Sequence, residues 1–215
     1  MTNYVLLCLS QSNKNDFLWI GMYGGGVDRY DPKTKTFKHY RKGDNPDQLN
    51  NDEVYAVYED SKDNVWIGTN GGGVNVLDQS TGIITKYHSE PNDPSSLGGD
   101  FVRCFFEDRK GNIWVGSSGG VSVFNPSTKK FTNYNQTNIN LESDIIHCIY
   151  QDSKGNMWIA SLGGGLVELD PQSKKTINYT NNEGLPDNTI NAITEDNKGY
   201  LWLITNYGIR RFNLR

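Results

Sequence analysis

The sequence predicts an all-β protein, a β-propeller of four complete four-stranded blades followed by three strands of a fifth. Three observations carry this. Tryptophan recurs at Trp19, Trp66, Trp114, Trp158 and Trp202, at intervals of 47, 48, 44 and 44 residues, a period in the range of a four-stranded blade. Gly-rich corners and short polar turns recur in step with it. No stretch of about 10–12 residues spaces its apolar side chains as a helix would. The chain reads as a single propeller segment over residues 1–215, with blades near 4–40, 52–87, 100–134, 144–179 and 188–215.

Each element of the unit has a local reason. Leu49-Asn-Asn-Asp52, Leu97-Gly-Gly-Asp100, Leu141-Glu-Ser-Asp144 and Leu185-Pro-Asp-Asn188 open four units. Val54, Val102, Ile146 and Ile190 follow, each twelve positions before a Trp. In the second unit Val54–Glu59 is rich in β-branched and aromatic residues and reads as strand A. Asp60-Ser-Lys-Asp-Asn64 is a turn whose first Asp can bond the backbone two residues on. Gly111, Gly155 and Gly199 supply a left-handed position in the later copies; Asp63 takes it less easily. Strand B is Val65–Thr69, strand C Val74–Leu77 and strand D Ile83–Tyr87, with Gly71-Gly72-Gly73 reversing the chain between B and C.

A lone four-stranded sheet cannot bury both faces. Radial stacking lets each sheet cover its neighbour, with the Trp of strand B filling the gap. At ~150–250 Å² per aromatic and ~25 cal/mol per Å², each buried Trp contributes roughly 4–6 kcal/mol before entropy. Cys104 and Cys148 occupy the strand-A slot held by Ala56 and Ala192 and read as small buried fillers with free thiols.

Composition excludes several classes. A formal charge of −4 with no Lys/Arg block argues against a nucleic-acid or anionic-membrane binder. No run of about 18 apolar residues encodes a membrane helix. Three cysteines and three histidines, all scattered, give neither a disulfide framework nor zinc-ligand spacing, and no cofactor is expected. Val5-Leu6-Leu7-Cys8 has too short an apolar stretch, and no preceding basic residue, for a lipoprotein signal; no signal peptide is read in this chain.

The motif Leu-x-x-Asp/Asn-x-Val…Glu-Asp-x-Lys-Gly-Asn-x-Trp-Ile-Gly-Thr-x-Gly-Gly-Gly-Val…Asp-Pro…Phe-x-x-Tyr, best seen in 51–87 and 100–134, resembles the two-component regulator propeller repeat. Such repeats build the extracytoplasmic sensor of bacterial hybrid two-component regulators, where consecutive propellers precede an immunoglobulin-like segment, a membrane helix and a kinase. Many members sense oligosaccharides from complex glycans. The resemblance implies a periplasmic, non-enzymatic sensor segment that recognises an oligosaccharide. Any kinase would lie outside this chain, and the remaining blades or domains of a parent protein would be its partners.

The last unit ends at Phe212-Asn213-Leu214-Arg215, which leaves no strand D in the fifth blade, and Met1-Thr2-Asn3 is too short to lend one. The expectation is a fragment of a larger propeller; a closed five-bladed ring with one short blade is the alternative. Exposed sheet edges invite self-association.

The long, dissimilar D–A loops, 41–53, 89–100, 135–144 and 180–188, share one face with the B–C corners, where binding residues collect on a rigid scaffold. Two positions on that face break the repeat. One is the second residue of strand A: Tyr55, Arg103, His147 and Asn191. The other precedes the Gly corner: Tyr23, Asn70, Ser118, Leu162 and Asn206. The candidate ligand-binding set is Tyr23, Tyr55, Asn70, Arg103, His147, Asn191 and Asn206, a mixture of rings and donors that suits a sugar. Gly24-Gly25-Gly26 is followed by a strand, not the helix N-terminus that a phosphate cradle needs. A glycosidase would need paired carboxylates roughly 5–9.5 Å apart. Glu53, Glu142, Glu183 and Asp187 are the non-repeating acids on this face, and none is buried by pattern. A protein-interaction scaffold is the remaining alternative.

Overall fold

A computed structural model describes residues 5–12 and 14–212; the ends of the first and last expected blades, residue 4 and residues 213–215, lie outside the described residues. Nineteen strands among the described residues form five antiparallel meanders. Blade 1 is β1 (Val5–Gln11), β2 (Leu18–Tyr23), β3 (Gly26–Asp31) and β4 (Thr36–Tyr40). Blade 2 is β5 (Val54–Glu59), β6 (Asn64–Thr69), β7 (Val74–Asp78) and β8 (Ile84–Tyr87). Blade 3 is β9 (Val102–Glu107), β10 (Ile113–Ser117), β11 (Gly120–Asn125) and β12 (Lys130–Tyr134). Blade 4 is β13 (Ile146–Gln151), β14 (Met157–Ser161), β15 (Gly165–Leu169) and β16 (Thr176–Tyr179). Blade 5 has three strands, β17 (Ile190–Glu195), β18 (Leu201–Thr205) and β19 (Gly208–Phe212). The one helical element among the described residues is a 3-10 turn at Asn181–Glu183, inside a segment the strand pattern reads as plain loop. Its signal is Thr180-x-x-Glu183, a capping box in which the Thr side chain accepts from the first turn and the Glu side chain accepts from Thr180.

The apolar core lies in the four seams between blades. Trp19 packs on Val54, Val57, Ile67 and Leu77 of blade 2. Trp66 packs on Val102, Val115 and Phe124 of blade 3. Trp114 packs on Ile146, Ile149 and Ile159 of blade 4, and Trp158 on Ile190, Ile193 and Leu203 of blade 5. The loop leucines Leu49, Leu97, Leu141 and Leu185 each plug one of these seams. The inner strands β1, β5, β9, β13 and β17 lie against one another in sequence order around the axis. Cys8 joins Cys104 and Cys148 in the small-residue slot, opposite Gly21, Gly116 and Ala160. Burial pushes all three thiols up, that of Cys8 to about 11, so none is a thiolate at neutral pH.

The arc is open, and the closed five-bladed ring is not found. Blade 1 turns outward the face that every later blade buries: Leu6, Leu9 and Phe37 are exposed where Val54, Val57 and Ile84 are core. Blade 5 exposes Ile204 and Ile209, where the corresponding Gly68 and Val74 of blade 2 meet blade 3. Among the described residues β17 has no packing on β1 comparable to that between neighbouring blades.

Each A–B turn is tied to its seam. Asp60, Asp108, Asp152 and Asp196 accept backbone N–H groups two and four residues on. Each also accepts the indole N–H of its own blade's Trp at 2.8–2.9 Å. Burial pushes the carboxyls of Asp108 and Asp152 upward. The opposing hydrogen bonds from the indole, the Asn112 or Asn156 amide and the turn backbone outweigh it, so both lie below the ordinary value of 3.8. Asp196 is held low chiefly by the Trp202 indole. The fourth turn residue is left-handed throughout, with φ of 68° at Asp63 and 77°, 97° and 79° at Gly111, Gly155 and Gly199. Asp tolerates this region because its short side chain bonds locally.

Gly155→Ala is therefore expected to lose about 1–2 kcal/mol in urea unfolding, since its added methyl meets only the Arg109 guanidinium at an ordinary contact of 3.9 Å and backbone strain dominates. Acid dependence has a definite sign. Because the folded carboxyls sit below 3.8, their stabilisation is full above that value and is lost as pH falls through the lower folded values. Thermal melts by circular dichroism are expected to shift down below about pH 4. Asp152→Asn is expected to remove part of that acid slope, and an unchanged slope contradicts the assignment.

Candidate functional site

The second residue of each inner strand occupies a β-bulge. In the ladder between strands A and B, Val54 pairs Thr69 and Ala56 pairs Gly68, so Tyr55 is the extra residue. The same register break sets off Arg103 in β9, His147 in β13, Asn191 in β17 and Leu7 in β1. A bulge releases one residue from the ladder and re-aims its side chain. Five successive blades thus present one non-repeating side chain each at the same axial rim.

Contacts join these residues across the seams. The Arg103 guanidinium lies 5.6 Å from the centre of the Tyr55 ring. His147 sits beside Arg103 and shares a side-chain hydrogen bond with Asn191. Asn191 donates to the Asn206 side-chain oxygen at 3.2 Å. On the other side, Asn70 donates to a Glu53 carboxylate oxygen at 2.7 Å. The Tyr23 hydroxyl also bonds Glu53, and the negative charge of that carboxylate raises the phenol. Partial burial and the Arg103 charge push the His147 imidazole below its ordinary value of 6.5 against the opposing Asn191 bond, so the ring is neutral at pH 7.

All seven sequence-predicted residues therefore lie on one rim. Tyr23, Asn70 and Glu53 form one group; Tyr55, Arg103, His147, Asn191 and Asn206 form the other. Two contributors escape the repeat reading as ligand residues. From sequence, Glu53 stands out only as a candidate catalytic acid. Phe101, half-exposed, pairs with Asn70 in an isolated bridge and covers Gly71. Both stand immediately before strand A, at a position that reads Glu53, Phe101, Ile145 and Thr189 in successive blades. That variability beside the bulge was the available signal. Ser118 and Leu162 stand at the Asn70 position, and their backbone N–H groups donate to Phe101 and Ile145. Of the acids on this face, Glu183 is tied into the Thr180 capping box and held low by it, Asp187 accepts from the Thr189 and Asn206 backbone, and Glu142 lines one polar pocket together with Glu183.

The two component regulator propeller, Reg_prop, matches residues 48–71, 96–119, 140–163 and 184–207. This chain carries two-component regulator propeller repeats. Each match runs from the loop leucine through strands A and B to the Gly corner, and so includes the bulge. The chain is also similar to the extracellular domains of two hybrid two-component systems from B. thetaiotaomicron. One is 28% identical with a TM-score of 0.80 over 99% of this chain and 29% of that one. The other is 24% identical with a TM-score of 0.82 over 98% and 29%. The chain thus spans about three tenths of the length of those relatives. Streptogramin B lyase shares the fold alone, at 17% identity and a TM-score of 0.69 over 98% of this chain and 69% of that one. None of the curated proteins matches the sequence. No helix among the described residues is long and apolar enough to cross a membrane.

Proposed function

We propose that this chain is the ligand-recognising part of a periplasmic sensor of the hybrid two-component type, and that its ligand is an oligosaccharide. Recognition falls to the axial rim built by Tyr23, Tyr55, Asn70, Arg103, His147, Asn191 and Asn206, with Glu53 and Phe101 beside them. The observation that carries the reading is the bulge in every inner strand: the backbone repeats while the released side chain changes from blade to blade. Tyrosine and phenylalanine rings offer flat apolar faces, and the Asn amides and neutral imidazole offer donors and acceptors for hydroxyl groups. The similarity to extracellular domains of hybrid two-component systems supports the setting. The signal passes to a kinase outside this chain, and the chain itself catalyses nothing.

A protein-interaction role is the second reading. It is favoured by the apolar faces left open at the two ends of the arc, Leu6, Leu9 and Phe37 on one and Ile204 and Ile209 on the other. These faces suit further blades of a parent protein or a second copy of the chain.

A thermal-shift screen of the chain against neutral and acidic oligosaccharides separates the readings. A bound sugar at 100 times its dissociation constant is expected to add ~2.7 kcal/mol of stability. Tyr55→Ala and His147→Ala are expected to weaken that binding by about tenfold each. Lys62→Ala, on the opposite rim, leaves it unchanged. No shift with any sugar, together with concentration-dependent self-association, would favour the interaction reading.

A further inference from the structure

Among the described residues the arginines Arg29, Arg103 and Arg211 lie over aromatic rings, and of the three only Arg103 belongs to an inner strand at the axial rim. Arg41 pairs with Asp28 at 2.7 Å. Arg109 donates to the Ser153 and Asp152 carbonyls. Among the described residues no carboxylate or carbonyl accepts from the Arg103 guanidinium; its neighbours are the Tyr55 ring and the His147 imidazole. Its bulge position releases it from the ladder and leaves it exposed at the axial rim.

The acids nearest the rim set are already engaged, Glu53 by Asn70 and Tyr23 and Asp187 by the Thr189 and Asn206 backbone. Asn191 and Asn206 are occupied with each other and carry no charge. A guanidinium presents a planar fork of N–H donors that matches a carboxylate in two parallel bonds. Resting on an aromatic ring leaves that fork free. A carboxylate attached to a sugar ring would therefore meet Arg103 while the ring itself meets Tyr55. The chain as a whole is acidic, at −4, so attraction for an anion here is local to this residue and not a property of the overall field.

We infer that the oligosaccharide recognised at this rim contains a uronic acid, with its carboxylate bound by Arg103 and its ring stacked on Tyr55. The inference rests on the sugar-binding reading above and narrows it to acidic glycans.

Isothermal titration of the 215-residue chain with oligogalacturonate, oligomannuronate and a glucuronate-containing oligosaccharide, each beside its methyl ester and a neutral oligosaccharide set, tests it. The ester keeps the sugar's shape and removes its charge. At least one acid is expected to bind about tenfold or more tightly than its ester, the scale of a charge-assisted hydrogen bond, with the advantage shrinking as salt rises. Arg103→Gln is expected to bring acid and ester to equal affinity without changing the melting temperature of the free protein, and Arg103→Lys to keep part of the preference. Equal binding of acid and ester by the unaltered chain overturns the inference, as does an acid preference that survives Arg103→Gln. Binding of neutral sugars alone overturns it and leaves the sugar-sensor reading standing, whereas binding of no sugar at all removes both.

Discussion

The structure depends on one hydrogen bond repeated from blade to blade, the indole N–H of a seam tryptophan donated to the carboxylate of an A–B turn. An indole buried between two sheets must satisfy its N–H or lose much of what its burial contributes. The A–B turns place strong acceptors at the seams. An Asp there serves both needs, since one oxygen organises the turn backbone and the other takes the indole. Blade 1 shows that the seam sets the requirement. Its turn carries Ser12 where later blades have Asp, and Trp19 donates instead to Glu59 of blade 2 at 3.0 Å, with Ser12 donating to the same carboxylate. The acceptor has moved to the neighbouring blade and the bond has been kept.

Once that bond is fixed, the residue beside the Asp is free to bind the blades together. Glu107 accepts from the backbone and hydroxyl of Ser61 in the preceding blade, Glu195 does the same for Ser153, and Gln151 accepts from the Arg109 backbone. Exposed contacts of this kind are individually weak, but they lie along the rim opposite the bulges. One rim is thereby held by repeated side-chain staples, while the other is held by backbone bonds from each Gly corner to the next blade, which leave its side chains free to vary. Structural demands fall on recurring residues, and residues free of them accumulate at the axial rim.

This division explains what the sequence made legible. Trp66, Trp114 and Trp158, the Asp turns and the left-handed glycines recur because every blade meets the same packing problem, and recurrence can be read without coordinates. The candidate rim was legible for the opposite reason, as the places where Tyr55, Arg103, His147 and Asn191 break the pattern. The bulge itself was not, because an extra residue in one strand leaves no mark on apolar alternation until its partner strand is known. Glu53 and Phe101 carry no such mark, because they precede strand A and have the sequence character of loop. Recurring Glu107 and Glu195 read as companions of the turn Asp; their partners are in another blade some 42–46 residues away, a distance that local pattern cannot span.

A rim assembled from one residue per blade has a mechanical consequence. Neighbouring inner strands touch through apolar seams, and beside the bulges backbone bonds from each Gly corner to the segment before the next strand A, such as Gly73 to Asp100, already join blade to blade. A ligand that engaged Tyr55, Arg103, His147 and Asn191 would bridge four blades at once and add side-chain bonds to the backbone bonds that already cross those seams. Its binding free energy is then available to oppose any opening or twisting of the arc, and only the part that differs between two arrangements of the blades can drive a change. For an arc whose end faces remain apolar and open, that differential is transmitted through whatever covers those faces. A ligand at the proposed axial site and a partner on the open end faces would both act on the same seams that bury the tryptophans.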